Sequence, residues 1–397
     1  MERSRAMEEQ VSDHSQLCMA GVGLALQCLN ITVDEDNMLP GALQLIQQLR
    51  PDWDPQHIQT KLFSEGMTNK LLACYLDEQM EDALLIRIYG NKTELFVDHE
   101  SEVKNFLLLQ AHGCAPKLYC TFTNGLCYEF IQGMALGPEH VRESHIFRLI
   151  AQELARIHSI PAPNGHRPKA SLWHKLHKYL SCIASEYSAL NEDSPRLPQE
   201  VPNLQVLEEE VAWMEEQLSR LNSPVVLCHN DLLCKNMIYN QKKGYVRFID
   251  YEFMDYNYQA FDIGSHFNEF AGVCEVDYSL FPSTELQLQW LRYYLQTYKQ
   301  LRQEGGEVTN SELAALYVQV NLFALAAHFF WGFWALIQAK YSKIHFNFTR
   351  YAAVRFKQYF QMKPKVLALA SETQPLCQQL PEMLLPPPSH IELGKDA

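Results

Sequence analysis

Two short apolar segments near the middle of the chain end in polar side chains, and this arrangement constrains the fold more than any other feature. The first segment, residues 225–227, is followed by Asp231 and then, five residues further along, by Asn236. The second segment, residues 246–249, ends directly at Asp250. Because carboxylate and amide groups are costly to bury without a partner, we expect these three side chains to meet in one cleft.

The three side chains suit the transfer of a phosphoryl group. An ionised Asp231 can orient an alcohol hydroxyl and accept its proton. Asn236 and Asp250 offer the hard oxygen ligands that Mg²⁺ prefers, and Mg²⁺ in turn binds nucleotide phosphates. Taken alone, Asp231 is more typical of a residue that caps a turn, and Asp250 of an Asx-turn. Their combined spacing is that of kinase-like phosphotransferases, so we predict Asp231 as the catalytic base and Asn236 and Asp250 as metal ligands.

An earlier apolar strand contains a basic residue. Arg87 lies within residues 83–90, and Glu102 follows fifteen residues later on a helix expected to start near Asp98. In kinases a basic strand residue contacts the nucleotide phosphates and pairs with a helix glutamate, and the guanidinium fork suits phosphate. We therefore predict catalytic roles for Arg87 and Glu102, with Glu100 as the alternative partner. A surface ion pair of little energetic value is the competing interpretation.

A turn between two early strands is a candidate nucleotide-binding loop. It contains Gly66, Thr68 and Asn69, and backbone N–H groups in such a turn can cover phosphate oxygens. The turn lacks a GxGxxG run, so an ordinary hairpin turn marked by Gly66 is the alternative.

The order of the periodic segments predicts an α+β, bilobal, protein-kinase-like fold. Short apolar runs dominate residues 34–132, where we expect a small β-rich N-lobe that covers the nucleotide. Helical periodicity dominates residues 133–373, where we expect a large, mainly helical C-lobe with the catalytic and substrate-binding residues. Prolines in residues 161–203 are expected to interrupt any helix there. Residues 1–33 and 374–397 are predicted to be a disordered leader and a disordered tail.

Composition excludes several classes of partner. The chain has 47 acidic and 33 basic residues and a net charge of −14, which argues against binding nucleic acid or anionic lipid through bulk charge. No apolar run reaches the length of about 18 residues that predicts a membrane-spanning helix, so no membrane insertion is expected. The eleven cysteines form no CxxC pair, which indicates reduced thiols in a cytoplasmic protein. The sequence carries no signal for an oligomeric state.

Trp331 and Trp334 lie three residues apart in an aromatic segment, so a helix places both indoles on one face. Aromatic faces attract cations, most of all away from water, and Glu269 is a candidate carboxylate partner for the same cation. Two tryptophans in an ordinary helix core are the alternative. We assign structural roles to His229 and His266, because no third His or Cys lies at a spacing typical of zinc sites.

Two motifs identify a family resemblance. Residues 228–236 read CHNDLLCKN and resemble the phosphotransferase signature shared with aminoglycoside kinases. Residues 249–252 read IDYE, and they are followed by FDIG at 261–264 and HFNEF at 266–270. This longer motif resembles the choline/ethanolamine kinase family. The resemblance extends over about residues 40–365 and is greatest to the ethanolamine branch.

The resemblance implies ATP- and Mg²⁺-dependent phosphorylation of ethanolamine to phosphoethanolamine, the first step of the CDP-ethanolamine route to phosphatidylethanolamine. It implies the base role for Asp231, Mg²⁺ binding by Asn236 and Asp250, and phosphate contact by Arg87. Adenine contact is implied for three backbone positions, Glu129, Phe130 and Ile131. The further residues implied to line the amino-alcohol site are Glu252, Phe253, Glu269, Trp331, Trp334 and Tyr351.

The sequence departs from the family pattern at three places, which comprise four residues. Ser265 stands where Asn is expected, Phe253 stands where Tyr is expected, and Met254 with Asp255 replaces a small turn. The alternatives are a choline kinase and a catalytically weak pseudokinase that acts as a binding module. An aminoglycoside-type phosphotransferase is a third alternative, which shares the first motif only. The ammonium of ethanolamine has three N–H donors that suit a carboxylate, whereas choline has none, so ethanolamine is the favoured small-molecule substrate.

Overall fold

The structure is a computed structural model that describes residues 16–18, 25–63, 69–90, 96–165, 167–189, 198–342 and 344–371. The first lobe is built on a sheet whose strands are β1 (Gln16–Cys18), β2 (Ala25–Leu29), β3 (Gln59–Phe63), β4 (Lys70–Tyr75), β5 (Leu84–Ile88), β6 (Leu118–Phe122) and β7 (Gly125–Glu129). Their order in the sheet is β1-β2-β6-β7-β5-β4-β3. Neighbouring strands run antiparallel, except that β2 runs parallel to β6.

Residues 25–33 belong to this lobe, which corrects the expectation of a disordered leader for that part of the segment 1–33. Strand β2 pairs with β6, and the side chains of Leu26 and Val33 are buried. A strand this short has too few residues to show a period of its own, and its partner strand lies far along the chain. Most of the remaining leader and the predicted tail, residues 374–397, lie outside the described residues.

Two helices accompany the sheet, α1 (Met38–Leu49) and α2 (His99–Ala111). Helix α2 begins where the Asp98 side chain accepts hydrogen bonds from the backbone N–H groups of Glu100 and Ser101, a common helix N-cap. The Phe106 ring of α2 contacts Tyr128 of the first lobe and Tyr251 of the second lobe, at centroid distances of 5.3 and 5.1 Å. Helix α2 therefore joins the apolar cores of the two lobes.

The second lobe is mainly helical, which confirms the predicted fold class. Its helices are α3 (Ser144–His158), α4 (Leu172–Ala189), α5 (Leu204–Ser219), α6 (Gln259–Asn268), α7 (Thr284–Leu301), α8 (Asn310–Tyr341) and α9 (Phe348–Ser371). Its short strands are β8 (Met134–Ala135), β9 (Val225–Cys228), β10 (Met237–Asn240), β11 (Tyr245–Phe248) and β12 (Asp255–Tyr258). They form one sheet in the order β11-β10-β8 and a second of β12 with β9, and these two small sheets hold the polar motifs.

Two helices differ from the sequence-based expectation. Helix α4 occupies much of residues 161–203, where prolines were expected to interrupt any helix; the prolines at 168 and 195 flank α4 instead of falling inside it. Helix α9 was not predicted, and it contains Pro364. A proline removes one backbone donor and disfavours helix around it, so packing against α8 stabilises α9 where local propensity does not.

Helix α8 is long and apolar enough to cross a membrane by length and composition alone, with a mean hydropathy of 1.6 in its most apolar window. The fold buries 94% of that window, so α8 is the central helix of the C-lobe core. It begins with a capping box formed by Thr309 and Glu312, which is typical of a helix that starts at an aqueous surface.

Two glycines allow helices to approach α8 closely. A Cβ atom at Gly264 of α6 would lie 2.6 Å from the carbonyl oxygen of Val320 on α8. A Cβ atom at Gly332 of α8 would lie 2.8 Å from the ring of Phe356 on α9. Both distances are shorter than carbon contacts in packed interiors allow. The absence of a side chain at these two positions therefore sets how near α6 and α9 lie to α8.

Candidate active site

The loop after β9 is held by one buried carboxylate. Asp262 of α6 accepts hydrogen bonds from the backbone N–H groups of His229 at 2.8 Å and Asn230 at 2.7 Å, and from Nε2 of His158 at 2.9 Å. Burial raises the pKa of Asp262, but the bonds and charges from His158 and His229 outweigh burial and leave the pKa below its ordinary value. The loop that carries Asp231 is therefore anchored to α6 through its backbone.

The backbone of the same loop adopts a left-handed conformation at Asn230, with φ of 65°. Asparagine tolerates this region better than most residues. Its side chain donates to the carbonyl oxygen of Phe253 at 3.0 Å and accepts from Nδ2 of Asn257 at 2.9 Å. The loop after β9 and the segment after β11 thereby hold each other in place.

His229 and His266 make structural hydrogen bonds. Nε2 of His229 donates to the carbonyl oxygen of Ile249 at 2.9 Å, which links the first polar motif to the residue before Asp250. Nδ1 of His266 donates to the carbonyl oxygen of Leu232 at 3.2 Å. Burial lowers the pKa of His266 to about 4, so this imidazole is neutral at physiological pH.

Asp231, Asn236 and Asp250 are brought into one site. Nδ2 of Asn236 donates to the backbone oxygen of Asp231 at 2.9 Å and to its carboxylate Oδ2 at 3.2 Å. This geometry leaves the amide oxygen of Asn236 as the atom that can bind a cation. Asp250 has a φ of 65°, and its Oδ1 accepts from Nη1 of Arg87 at 3.1 Å. The expected convergence of the three side chains is therefore present.

The site concentrates negative charge. Burial and the nearby carboxylates of Asp250, Glu269 and Glu252 raise the pKa of Asp231 well above its ordinary value. Burial and the charge of Asp250 raise the pKa of Glu252 to about 8. Burial also raises the pKa of Asp250, against the opposing charge of Arg87. Carboxylates that crowd one another in this way, beside a free amide oxygen, are a donor set that fits a divalent cation such as Mg²⁺.

Arg87 pairs with Glu102. Both side chains are almost fully buried and are joined by an ion pair, while the second arm of Arg87 reaches Asp250. The alternative partner, Glu100, lies on the surface and pairs with Lys104. Because breaking a buried pair leaves an uncompensated charge, Glu102 holds the Arg87 guanidinium at the boundary between the lobes.

The predicted nucleotide-binding turn is described only at its end, because Gly66 and Thr68 lie outside the described residues. Nδ2 of Asn69 donates to Oε2 of Glu252 at 2.7 Å. Oδ1 of Asn69 accepts from the backbone N–H of Gly90 at 3.3 Å. Asn69 is thus a hydrogen-bonded bridge from the first lobe to the IDYE motif, a contact that the sequence did not suggest.

The segment implied to contact adenine follows the last strand of the first sheet. The backbone N–H of Glu129 donates to Lys117 at 2.9 Å, and that of Phe130 donates to Ala83 at 3.1 Å. These two donors are engaged in the sheet. Ile131 comes next, where the chain leaves the sheet, and this residue is half-buried. Of the three residues, Ile131 therefore has the backbone that is best placed to contact a nucleotide base.

Aromatic rings line the far side of the site. The Trp331 ring lies edge-on to Phe253 and to Trp334, with centroid distances of 5.3 and 5.5 Å. Nε1 of Trp331 donates to Oγ of Ser265 at 3.2 Å. Ser265 lies within α6 and not in the loop that supports Glu269. This serine, which departs from the family pattern, therefore contacts the Trp331 ring and not the carboxylates of the site.

Glu269 follows α6 and is buried together with Arg355 of α9. Nη1 of Arg355 donates to Oε1 of Glu269 at 2.9 Å, and the guanidinium lies 5.5 Å from the ring centroid of Tyr351. Burial raises the pKa of Tyr351, the charge of Arg355 opposes that rise, and the charges of Glu269 and Asp231 add to it. Sequence reasoning missed Arg355; its position one helical turn after Tyr351 is the signal that could have suggested it.

Comparison with known proteins agrees with this geometry. The family model for choline/ethanolamine kinases matches residues 60–360. Ethanolamine kinase 2 of Rattus norvegicus is 60% identical over 345 residues, which cover 87% of this chain and 86% of that protein. Ethanolamine kinase 1 of Homo sapiens is 61% identical over 345 residues, which cover 86% of this chain and 76% of that protein.

Solved structures show the same fold. An ethanolamine kinase of Plasmodium vivax matches with a TM-score of 0.70 and 26% identity, covering 90% of this chain and 94% of that one. A choline kinase of Cryptosporidium parvum matches with a TM-score of 0.70 and 24% identity, covering 85% and 98%. The predicted bilobal fold and the predicted resemblance are both confirmed. The chain belongs to the choline/ethanolamine kinase family.

Proposed function

We propose that this cytoplasmic protein transfers the γ-phosphoryl group of ATP to the hydroxyl of ethanolamine, in the first step of the CDP-ethanolamine route to phosphatidylethanolamine. Identity of about 60% to ethanolamine kinases 1 and 2 over most of the chain supports this substrate. The observation that carries the proposal is the company of the buried Asp231 carboxylate. It accepts a hydrogen bond from Asn236 at 3.2 Å, and the charges of Asp250 and Glu269 act on it.

Asp231 orients the substrate hydroxyl and receives its proton. The hydroxyl oxygen forms a bond to the γ-phosphorus while the bond to the leaving ADP oxygen breaks, and the proton passes to the Asp231 carboxylate. The hydrogen bond from Asn236 holds Oδ2 of Asp231, which fixes the rotamer of the base. The amide oxygen of Asn236 and the carboxylate of Asp250 would hold Mg²⁺, which would neutralise charge on the nucleotide phosphates.

The first lobe supplies the contacts to the nucleotide. Arg87 is charged, fixed by Glu102 and directed at the Asp250 side of the site, which suits contact with a phosphate oxygen. The turn that contains Gly66, Thr68 and Asn69 covers the phosphates in this proposal, with the adenine beside residues 129–131. Because Asn69 bonds to Glu252 across the lobes, Glu252 links the end of that turn to the site.

The C-lobe binds the amino group. Glu269 offers a carboxylate, and Trp331, Trp334 and Tyr351 offer aromatic surface around it; all are buried. A primary ammonium satisfies its donors on carboxylate oxygens, and its positive charge is stabilised by ring faces. Phe253 packs on Trp331 and extends the aromatic surface, but its ring offers no hydroxyl. Recognition of the amino group therefore depends on Glu269.

Choline is the second candidate substrate. The group of rings formed by Phe253, Trp331 and Trp334 is the kind of surface that binds quaternary ammonium groups. The pseudokinase alternative is disfavoured, because Ser265 contacts Trp331 and leaves Asp231 and its partners intact.

Release of ADP by the purified protein tests the proposal, with ATP, Mg²⁺ and either ethanolamine, choline or no acceptor. Ethanolamine-dependent release that exceeds choline-dependent release is expected. Asp231→Ala should lower kcat by about 10²–10⁴-fold, whereas Asp277→Ala, which removes an exposed carboxylate, should not. ATP binding without acceptor-dependent release would instead identify a pseudokinase, and equal or greater choline turnover would identify a choline kinase.

A further inference from the structure

We infer that Arg355 makes the amino-alcohol site selective for a primary over a quaternary ammonium, by fixing Glu269 and balancing its charge. This inference rests on the proposed function, in which Glu269 receives the amino group. Arg355 is one of the largest side chains that the fold buries completely. A charge in such a position is costly unless it is paired, and Glu269 is its ion-pair partner within the described residues.

The pair has a defined direction. Nη1 of Arg355 donates to Oε1 of Glu269 at 2.9 Å, so this oxygen is directed toward α9. The backbone of Glu269 is also held, because its carbonyl oxygen accepts from Sγ of Cys234 at 3.4 Å. Oε2 of Glu269, which this bond does not engage, is then the oxygen oriented to receive a hydrogen bond from a substrate. The carboxylate is oriented before any substrate arrives, which lowers the entropic cost of binding.

Within the described residues Glu269 is the acidic side chain that pairs with Arg355, and the charges of Glu269 and Asp231 also act on each other. His328 of α8 is fully buried, and burial together with the charge of Arg355 lowers its pKa well below the ordinary value, so it is neutral. The remaining neighbours are the rings of Tyr278 and Tyr351, which burial keeps protonated by raising the pKa of each. Arg355 and Glu269 therefore form a nearly neutral pair.

Selectivity follows from this neutrality. An unpaired carboxylate attracts every cation through its charge, whereas the field of a neutral pair falls off more steeply with distance. The methyl groups of a quaternary ammonium keep its charge away from the carboxylate and provide no N–H donor. A primary ammonium donates directly to Oε2 of Glu269 at short range. Arg355 thus weakens the longer-range attraction of a quaternary ammonium more than the short directional bond that a primary ammonium makes.

The test uses Arg355→Met and Arg355→Lys in the full chain. We would measure kcat/KM for ethanolamine and for choline as alternative acceptors, and the Ki of choline as a competitor of ethanolamine. Arg355→Met should lower the ratio of the ethanolamine value to the choline value about tenfold and tighten choline binding, because Glu269 loses the fixed orientation that its charged bond to a primary ammonium needs, and one such bond is worth roughly that factor. Arg355→Lys keeps the charge and should retain most of the ratio. Arg247→Met, which removes one of the two arginine partners of buried Glu153 elsewhere, should leave the ratio unchanged.

A folded Arg355→Met protein with an unchanged ratio would overturn the inference. Should Arg355→Met fail to fold, the comparison of Glu269→Gln with the double variant Glu269→Gln/Arg355→Met decides. The double variant removes both buried charges together, and in Glu269→Gln the amide oxygen can still accept the hydrogen bond from Arg355. Arg355 acts through Glu269 in this inference, so both proteins should show the same ratio; different ratios would overturn it. Glu269→Gln also tests the proposed site separately: an unchanged KM for ethanolamine would remove Glu269 from that site whatever Arg355 does.

Discussion

Replacing Asp262 with Asn should both destabilise the protein and slow the reaction, although Asp262 lies behind the catalytic loop. The carboxylate accepts three hydrogen bonds, at 2.7 Å from Asn230, at 2.8 Å from His229 and at 2.9 Å from His158. An amide has one oxygen, so its NH₂ group must face at least one of these donors. The change is nearly isosteric, which excludes a cavity as the cause of any effect.

The magnitude follows from the bonds. Leaving one buried donor unsatisfied costs about 1–3 kcal/mol, and a hydrogen bond to a charged group is worth about 1 kcal/mol more than a neutral one. One unsatisfied donor and two remaining bonds that lose their charged acceptor should together lower the free energy of unfolding of Asp262→Asn by about 3–5 kcal/mol. This loss is large for a point substitution. Asn230 and His229 directly precede Asp231, and a displacement of about 1 Å at a reacting group can lower the rate by about 10²-fold.

The assay combines urea unfolding, followed by intrinsic fluorescence, with steady-state kinetics for the same preparations. Asp277→Asn is the matched control, because that side chain is exposed and an asparagine oxygen can still accept the hydrogen bond from the Ser279 backbone N–H, so neither quantity should change. We expect kcat for Asp262→Asn to fall by a larger factor than the factor by which KM for ATP changes, since the proposed contacts to the nucleotide come from the first lobe. Unchanged stability and unchanged kcat in Asp262→Asn would refute the conclusion that this carboxylate holds the catalytic loop.

Three further substitutions test separate parts of the structure. Ser265→Ala removes the acceptor of the Trp331 indole N–H and should raise KM for ethanolamine several-fold with little change in kcat; an unchanged KM would show that the hydrogen bond does not position the ring. Gly332→Val places a side chain against Phe356 and should lower Tm, at a cost of about 1–3 kcal/mol; an unaltered Tm would show that α8 and α9 have room to separate. His266 has a folded pKa of about 4, below the unfolded value of about 6.5, so the unfolded state binds the extra proton and stability falls as pH drops from 6.5 toward 4. His266→Gln should weaken that loss by up to about 3 kcal/mol in denaturation curves recorded across this range, and an identical pH dependence would contradict the assignment.

Much of the site could be predicted because its chemistry is encoded in local spacing. The apolar strands β9 and β11 are each followed within three residues by an aspartate, and the five-residue interval between Asp231 and Asn236 is short enough for one loop to bring both side chains together. The pairing of Arg87 with Glu102 in place of Glu100 also follows from helix periodicity, since Glu102 lies one turn before Phe106 on the buried face of α2 while Glu100 lies on the exposed face.

The contacts that join distant segments could not be predicted in the same way. Asn69 bonds to Glu252 across the two lobes, and neither residue carries a periodic signal that points to the other. The strand β2 was assigned to a leader because its partner β6 is far along the chain. Helix α9 was missed because Pro364 lowers its local propensity, whereas burial against α8 outweighs that cost.

The sequence alone determined the fold class, the phosphoryl-transfer motifs and the presence of an aromatic face, because periodicity and short-range spacing express these directly. Only the tertiary structure decided what surrounds each charge. Asp262 anchors the catalytic loop and Arg355 pairs with Glu269, and both assignments depend on helices that are brought together by packing at Gly264 and Gly332. A buried charge needs a partner wherever the fold places one, and that partner is selected by three-dimensional proximity, which the order of residues along the chain does not specify.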